Sequence, residues 1–423
     1  MSLLNIESSN NNLIIKLCQR IDTNNIHHVA SEIKEALSKI RASSIILDAE
    51  KLEYISSIGL REILDIKKIL INVERIIVES KKNECKLKII NVSPRIYDIF
   101  EVTGFTDIIQ IEKAHRNISI EGCAEIGRGA CGTVYRLDDE TIVKVFVDGY
   151  EMEKIEKERE NSKNAFTHGV DTAIPFDIVK VGNNYGLIYE IIKADTLKNV
   201  MLKERDKLDY YIGIYANYVK NMHSIVFDKD CYPDMKEVWT KKVEESEGDF
   251  SDEERAAAKK LISMIPNRKN FNHGDMNLGN LMVENGNAIL IDMEDAVLGH
   301  PVFDTSFIYY LLKLLPGFLP EEFCEMIVGF TKKENELLWN RFCEIYFGCK
   351  TSEEREAYEK ELHPYGIIKL LDVLPLYYKV FDAAEGENKK FVPALYAAFR
   401  PAVEKYKKEL IEIAEADSVV LNF

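Results

Sequence analysis

The chain has 423 residues, more than one hydrophobic core usually serves, so two or three domains are expected. Its 46% hydrophobic and 30% charged residues are globular proportions, no apolar run reaches the roughly eighteen residues of a membrane span, and the opening MSLLNIESSNNN lacks the regions of a secretory signal, so the expected setting is the cytoplasm without membrane contact. The net charge of −16 falls on one part: residues 1–118 hold 17 Lys/Arg against 16 Asp/Glu, the remainder 38 against 55, a field that disfavours nucleic acid and favours cationic partners or substrates.

Residues 1–110 alternate short apolar runs with amphipathic stretches, the pattern of an α/β unit. The β-branched runs 12–18, 44–47 and 86–90 read as strands. Between them, 24–40 places Ile26, Val29, Ala30, Ile33, Leu37 and Ile40 on one helical face, with Asp22 or Thr23 available as its cap. Further helices are expected over 59–70 and 94–102, the second opened by Pro94. A polar bridge at 112–117 ends this unit. Strands over 118–125 and 133–137 then flank a glycine-rich turn, 141–147 is a third strand, and 151–166 a charged helix. After Phe303 the chain turns mostly helical, and prolines 301, 316, 320, 364, 375, 393 and 401 are expected to punctuate the helices. The eight cysteines form no C-x-x-C pair or zinc-ligand spacing and read as reduced thiols, mostly in the core.

The glycine-rich turn is Gly127-Arg128-Gly129-Ala130-Cys131-Gly132. By itself G-x-G-x-x-G fits dinucleotide-binding turns as well as kinase loops, but here a strand follows the third glycine, which favours a loop whose backbone N–H groups close over a triphosphate. Lys144 lies between apolar neighbours on the third strand, where a cation reaching the α- and β-phosphates makes sense. Glu158 on the following helix is its expected partner, with Glu156 and Glu160 as rivals. The stretch His273-Gly274-Asp275-Met276-Asn277-Leu278-Gly279-Asn280, read as following a helix, carries the densest chemistry. Phosphoryl transfer needs a carboxylate to orient the acceptor hydroxyl and take its proton, the role of Asp275. It also needs hard oxygen ligands for Mg2+, which Asn280 and Asp292 provide, the latter at the end of a strand over 288–291.

These motifs resemble the aminoglycoside phosphotransferase-like branch of the protein-kinase superfold. Its HGD loop, rather than HRD, matches Gly274; its I-D-[WFM]-E matches Ile291-Asp292-Met293-Glu294; and its G-x-P-x-x-D matches Gly299-His300-Pro301-Val302-Phe303-Asp304. The resemblance implies that His273 and Asp304 support the catalytic loop. It also implies that Tyr189-Glu190-Ile191-Ile192 is the hinge where backbone groups of Glu190 and Ile192 hold the base of ATP or, alternatively, GTP. The likeness fades beyond about residue 310, so the acceptor does not carry over.

The stretch from Asp48 through Ser56-Ser57-Ile58-Gly59-Leu60 places two serines at a helix start after a strand, where N–H groups and dipole stabilise a phosphate. Either serine could instead simply cap the helix. Residues 1–110 resemble the STAS domains of anti-sigma factor antagonists, which implies Ser57 as phosphoacceptor and Asp22 and Asp48 as acidic neighbours. A surplus near 72–82 departs from that pattern and implies an extended helix or extra hairpin. The expected architecture is an α/β STAS domain at 1–112, followed at 118–423 by a two-lobed α+β protein-kinase-like domain. Its N-lobe covers about 118–190, and its C-lobe, about 191–423, ends in a helical region. Three functions stay open: an ATP-dependent phosphotransferase acting on a small, cationic or hydroxyl-rich molecule under STAS control, a regulatory Ser/Thr protein kinase acting on Ser57 or on a partner, and a non-catalytic nucleotide-sensing scaffold. The expected partners are the small-molecule substrate, a protein bound through the STAS domain and a second copy of the chain.

Overall fold

Leu13, Ile15 and Leu17 are buried while Ile14 and Lys16 between them are not, and this alternation lays the strand Asn12–Lys16 on a core. In the computed structural model, residues 4–9, 12–39, 44–77, 86–129, 131–227, 231–246, 250–284, 286–416 and 419–423 are described. They divide into two units, Met1–Ile118 and Ser119–Phe423. In the first, Asn5–Ser9, Asn12–Lys16, Ser44–Asp48, Lys86–Val92 and Gln110–Lys113 form one sheet in that order. The first pair is antiparallel and the rest parallel. Parallel neighbours need crossovers, which the helices Ile26–Lys39, Ser57–Ile77 and Pro94–Val102 supply.

On the first of these helices Ile26, Val29, Ala30 and Ile33 are buried as the periodicity requires; Ile40 and the side chain of Leu37 lie outside the described residues. Asp22 accepts from the Asn24 N–H at 2.9 Å, fixing the turn before that helix. The second helix runs to Ile77, well past the expected end at residue 70, and takes up part of the surplus; residues 78–82 lie outside the described residues.

In the second unit, Pro175–Val181, Asn184–Glu190, Thr141–Phe146, Gly132–Arg136 and Ala124–Arg128 are neighbours in an antiparallel sheet. The helix Met152–Thr167 buries Ile155 and Ala165 beside it. The strand Ala124–Arg128 starts later than the expected residue 118, because a turn at Gly122, with φ +80°, interrupts the extended chain. Helices dominate beyond: Leu208–His223, Met235–Glu245, Asp252–Met264, Val302–Tyr309, Glu321–Val328, Lys332–Tyr346, Ser352–Asp382 and Val392–Glu415.

Four prolines, at 301, 316, 320 and 393, stand at helix starts, but Pro364, Pro375 and Pro401 lie inside helices and do not end them. Packing outweighs the break. An interior proline costs about 3 kcal/mol, whereas Leu362, Tyr365, Ile367, Ile368, Leu370, Leu371 and Leu374 are all buried around Pro364, each contributing roughly 1.5–3 kcal/mol. Of the seven cysteines described, only Cys324, Cys343 and Cys349 are buried, fewer than expected. Among the described residues, no helix is long and apolar enough to cross a membrane.

Candidate active site

The strands Ala124–Arg128 and Gly132–Arg136 form a hairpin in which Gly127 faces Val134. The Gly129 N–H donates to the Gly132 carbonyl at 2.9 Å, and the Val147 N–H to the Cys131 carbonyl at 3.0 Å; Ala130 lies outside the described residues. A Cβ at Gly132 would stand 2.3 Å from the Val145 carbonyl oxygen. Only glycine lets the loop lie this close to the strand Thr141–Phe146.

On that strand Val143 and Val145 are buried on one face, which puts Lys144 on the other. Its ammonium donates to both Glu158 carboxylate oxygens, at 2.9 and 3.0 Å, and to Asp292 Oδ1 at 2.9 Å. Ile155, Glu158, Ser162 and Ala165 share the buried face of the helix Met152–Thr167, whereas Glu156 and Glu160 are exposed, so helical phase selects Glu158 as the partner. Tyr189 Oη donates to Glu158 Oε1 at 2.6 Å and completes the anchor. Burial alone would push the Lys144 ammonium down, but the carboxylates of Glu158 and Asp292 hold it above its ordinary value.

The three-residue strand Asn270–Asn272, rather than a helix, leads into the loop at His273. Phe271 and Asn272 are fully buried, and the strand pairs with Val297–Gly299, which draws the segment into an extended ladder. Gly274 has φ +88°, and a Cβ there would stand 2.2 Å from the Asp295 carbonyl oxygen. This loop therefore excludes any larger residue, arginine included. Beneath it, fully buried Asp304 accepts the His273 and Gly274 N–H groups, both at 2.8 Å, and lies 3.1 Å from His223 Nε2. Burial would raise the Asp304 carboxyl, but His223 and the backbone donor of His273 keep it below the usual carboxylate range.

His273 Nε2 lies 3.0 Å from the Ile291 carbonyl, linking the loop to the segment that carries Asp292. Asp275 is partly exposed, and its Oδ2 accepts from Asn280 Nδ2 at 2.9 Å and Asn277 Nδ2 at 3.1 Å. With its amide nitrogen so engaged, Asn280 has its side-chain carbonyl oxygen left for another partner, while its backbone carbonyl accepts the Ile291 N–H at 2.9 Å. The strand before Asp292 is Asn287–Leu290. Asp292 sits at φ +64°, a left-handed conformation uncommon outside glycine, and its side chain is 46% exposed. Among the described residues there is no group of three or more His, Cys, Asp or Glu able to hold a metal. Asn280 and Asp292 supply two hard oxygens, which suits a cation completed by phosphate and water.

In the expected hinge, Glu190 is tied to Ile174 through its N–H at 3.2 Å and its carboxylate at 2.9 Å, so the Glu190 N–H is already engaged. The Ile192 N–H and carbonyl carry no hydrogen bond among the described residues. In the first unit, Ser57 opens the helix Ser57–Ile77 and is exposed, while Ser56 Oγ accepts the Gly59 N–H at 3.4 Å, so the capping role falls to Ser56. In the same unit, Asp48 Oδ1 accepts from Asn91 Nδ2 at 2.9 Å and the Glu50 N–H at 3.1 Å.

Sequence reasoning missed Tyr189 and His223 as supports for Glu158 and Asp304, and Asn277 as a second donor to Asp275. It also missed Tyr150, whose Oη donates to Glu294 Oε2 at 2.6 Å. Only Asn277, two residues from Asp275, left a local signal.

No curated protein matches the chain. Among solved structures, it is similar to an ADP-bound aminoglycoside phosphotransferase, APH(2'')-Ib (15% identity over 77% of this chain and 99% of that one, TM-score 0.41). A choline/ethanolamine kinase family protein from Mesorhizobium loti is also similar (12% identity, 69% and 92% coverage, TM-score 0.43). Residues 4–118 match the STAS domain, and residues 122–323 match the phosphotransferase enzyme family. The chain is thus a STAS domain followed by a domain of the phosphotransferase enzyme family.

Proposed function

We propose that the unit Ser119–Phe423 transfers the γ-phosphoryl group of ATP to a hydroxyl of a small molecule, and that the STAS unit regulates this activity. The observation carrying this reading is the convergence of Lys144, Asp275, Asn280 and Asp292 through direct hydrogen bonds or one intervening residue. Asp275, oriented by the amides of Asn277 and Asn280, accepts the proton of the acceptor hydroxyl, a contribution typically worth about 10²–10⁴-fold. Lys144, held by Glu158, exchanges Asp292 for phosphate oxygens when nucleotide enters. The N–H groups of the glycine hairpin close over the phosphates, and the free backbone groups of Ile192 receive the base. Magnesium, when bound, supplies charge neutralisation at the phosphates, with Asn280 and Asp292 as its protein ligands.

A second reading, a protein kinase acting on Ser57, is favoured by the exposure of Ser57 at a helix start whose cap is already provided by Ser56. One experiment separates the two: full-length protein with γ-labelled ATP and magnesium, first alone and then with a panel of hydroxyl compounds, comparing wild type, Ser57→Ala and Asp275→Ala. Label on a small molecule, absent with Asp275→Ala, supports the first reading. Label on wild-type protein but not on Ser57→Ala supports the second. No label in any fraction refutes both.

A further inference from the structure

Beside Asp275 lies a group of charged side chains that the transfer chemistry leaves unused. Asp295 directly abuts the catalytic loop, its Cβ 2.9 Å from where a Gly274 Cβ would stand. Lys242, on the helix Met235–Glu245, reaches Asp295 Oδ1 at 3.4 Å with 39% of its side chain exposed, and it feels the charges of Asp372 and Asp275 as well. Behind it lies Lys369, on the helix Ser352–Asp382 and only 4% exposed. Its ammonium sits 3.7 Å above the centre of the Phe303 ring and 4.9 Å from that of Trp239, and makes no hydrogen bond among the described residues. Trp239 Nε1, on the same face as Lys242 and one turn before it, is also buried without an acceptor.

Two donors on buried residues thus lie on neighbouring side chains, neither with a hydrogen-bond acceptor among the described residues. Buried polar groups are almost always satisfied, and an ammonium among aromatic rings recovers only part of its lost hydration. Burial, then the neighbouring charge of Lys242, lower Lys369 to about 8 against the pull of Asp372, Asp304 and Asp295. A polycationic acceptor would meet two ammonium groups here. The carboxylates of Asp372, Asp304 and Asp295 act on the Lys369 ammonium without bonding to it; a neutral hydroxyl would satisfy the donor alone, whereas an acid group gives it a directly bonded counter-charge.

We infer that Lys369, with Lys242 and Trp239, anchors an acidic group, a carboxylate or a phosphate, on the acceptor whose hydroxyl Asp275 deprotonates. This rests on the phosphotransferase reading and replaces the cationic acceptor that the charge of the unit as a whole suggests. The substrate class is then a hydroxylated acid or a phosphorylated alcohol.

The test uses the full chain saturated with magnesium and a non-hydrolysable ATP analogue, so that the nucleotide site is filled. Inorganic phosphate and acetate are each titrated calorimetrically against wild type, Lys369→Met, Lys369→Arg and Lys242→Met. We expect saturable binding of one of the two anions to wild type, which identifies the group. Affinity should fall by at least about tenfold in Lys369→Met and recover partly in Lys369→Arg, with analogue affinity within about twofold throughout. Turnover with glycerol, glycerate and glycerol phosphate should follow the same preference. Analogue binding with no saturable anion response, or with an equal response in wild type and Lys369→Met, overturns the anion site alone. Failure of wild type to bind the analogue overturns the kinase reading, and this site with it.

Discussion

Replacing Asp304 with asparagine changes one buried atom and tests what holds the loop at His273 and Gly274. Asp304 accepts three hydrogen bonds, from the backbone of His273 and Gly274 and from the His223 side. Asparagine keeps the shape and one acceptor oxygen, but turns an NH2 group toward a donor that has no other partner. A hydrogen bond to a charged group is worth about 1.5–3 kcal/mol, and a stranded buried donor costs about 1–3 kcal/mol, so Asp304→Asn should lose roughly 2.5–6 kcal/mol. That is a large share of the 5–15 kcal/mol typical of a domain. Both tryptophans, Trp239 and Trp339, lie in the second unit, so tryptophan fluorescence during urea unfolding of the full chain reports that unit. The loop should also relax, and a displacement of about 1 Å costs turnover on the order of 100-fold. Because the Asp304 carboxyl is held below its ordinary value, its contribution is present above about pH 4 and is lost as pH falls through the folded value. The deficit of the variant should accordingly be full at pH 7 and shrink only in strong acid. A variant within about 0.5 kcal/mol of wild type, with undiminished turnover, would refute the reasoning.

Other residues give further expectations. Lys144→Met leaves the Glu158 carboxylate, 1% exposed, without its cation, and should cost about 3–5 kcal/mol; adding Glu158→Gln should restore most of that while nucleotide binding stays weak, as urea unfolding and analogue titration would show. Gly274→Ala combines φ +88° with a Cβ 2.2 Å from the Asp295 carbonyl; strain and overpacking together should lower stability by about 2–4 kcal/mol, and turnover should fall more than nucleotide affinity. Lys369 sits near 8 when folded against an ordinary 10.5, so its folded state binds fewer protons than the unfolded chain between those values. Its burial therefore weakens the fold below pH 8, an effect relieved as pH rises to 10.5. Lys369→Met should be more stable than wild type by about 1–3 kcal/mol at pH 7 after allowing for the lost ring contacts, and the two should converge near pH 10.5.

What the sequence made legible is local. The glycine hairpin, Lys144, the loop from His273 to Asn280 and Asp292 were readable because turn chemistry and strand periodicity act over a few residues. The choice of Glu158 over two neighbouring glutamates needed the phase of a helix against its sheet. His223 is 81 residues from Asp304, and Lys369 lies on a helix far along the chain from Trp239; no periodicity links such pairs. The interior prolines misled because their effect on a helix is local while the burial that overrules it comes from the whole C-lobe. Gly274 shows the opposite case, for its small size reads in the sequence as a family signature and in the structure as a fixed distance to the Asp295 backbone.

The most direct test of the central claim is the comparison of wild type with Asp275→Ala, in both γ-phosphoryl turnover with the acceptor that wild type uses and equilibrium binding of a magnesium–ATP analogue. Turnover should fall by about 10²–10⁴-fold with analogue affinity unchanged within about twofold, because Asp275 is proposed to stand at the acceptor and not at the nucleotide. Unchanged turnover would contradict the account.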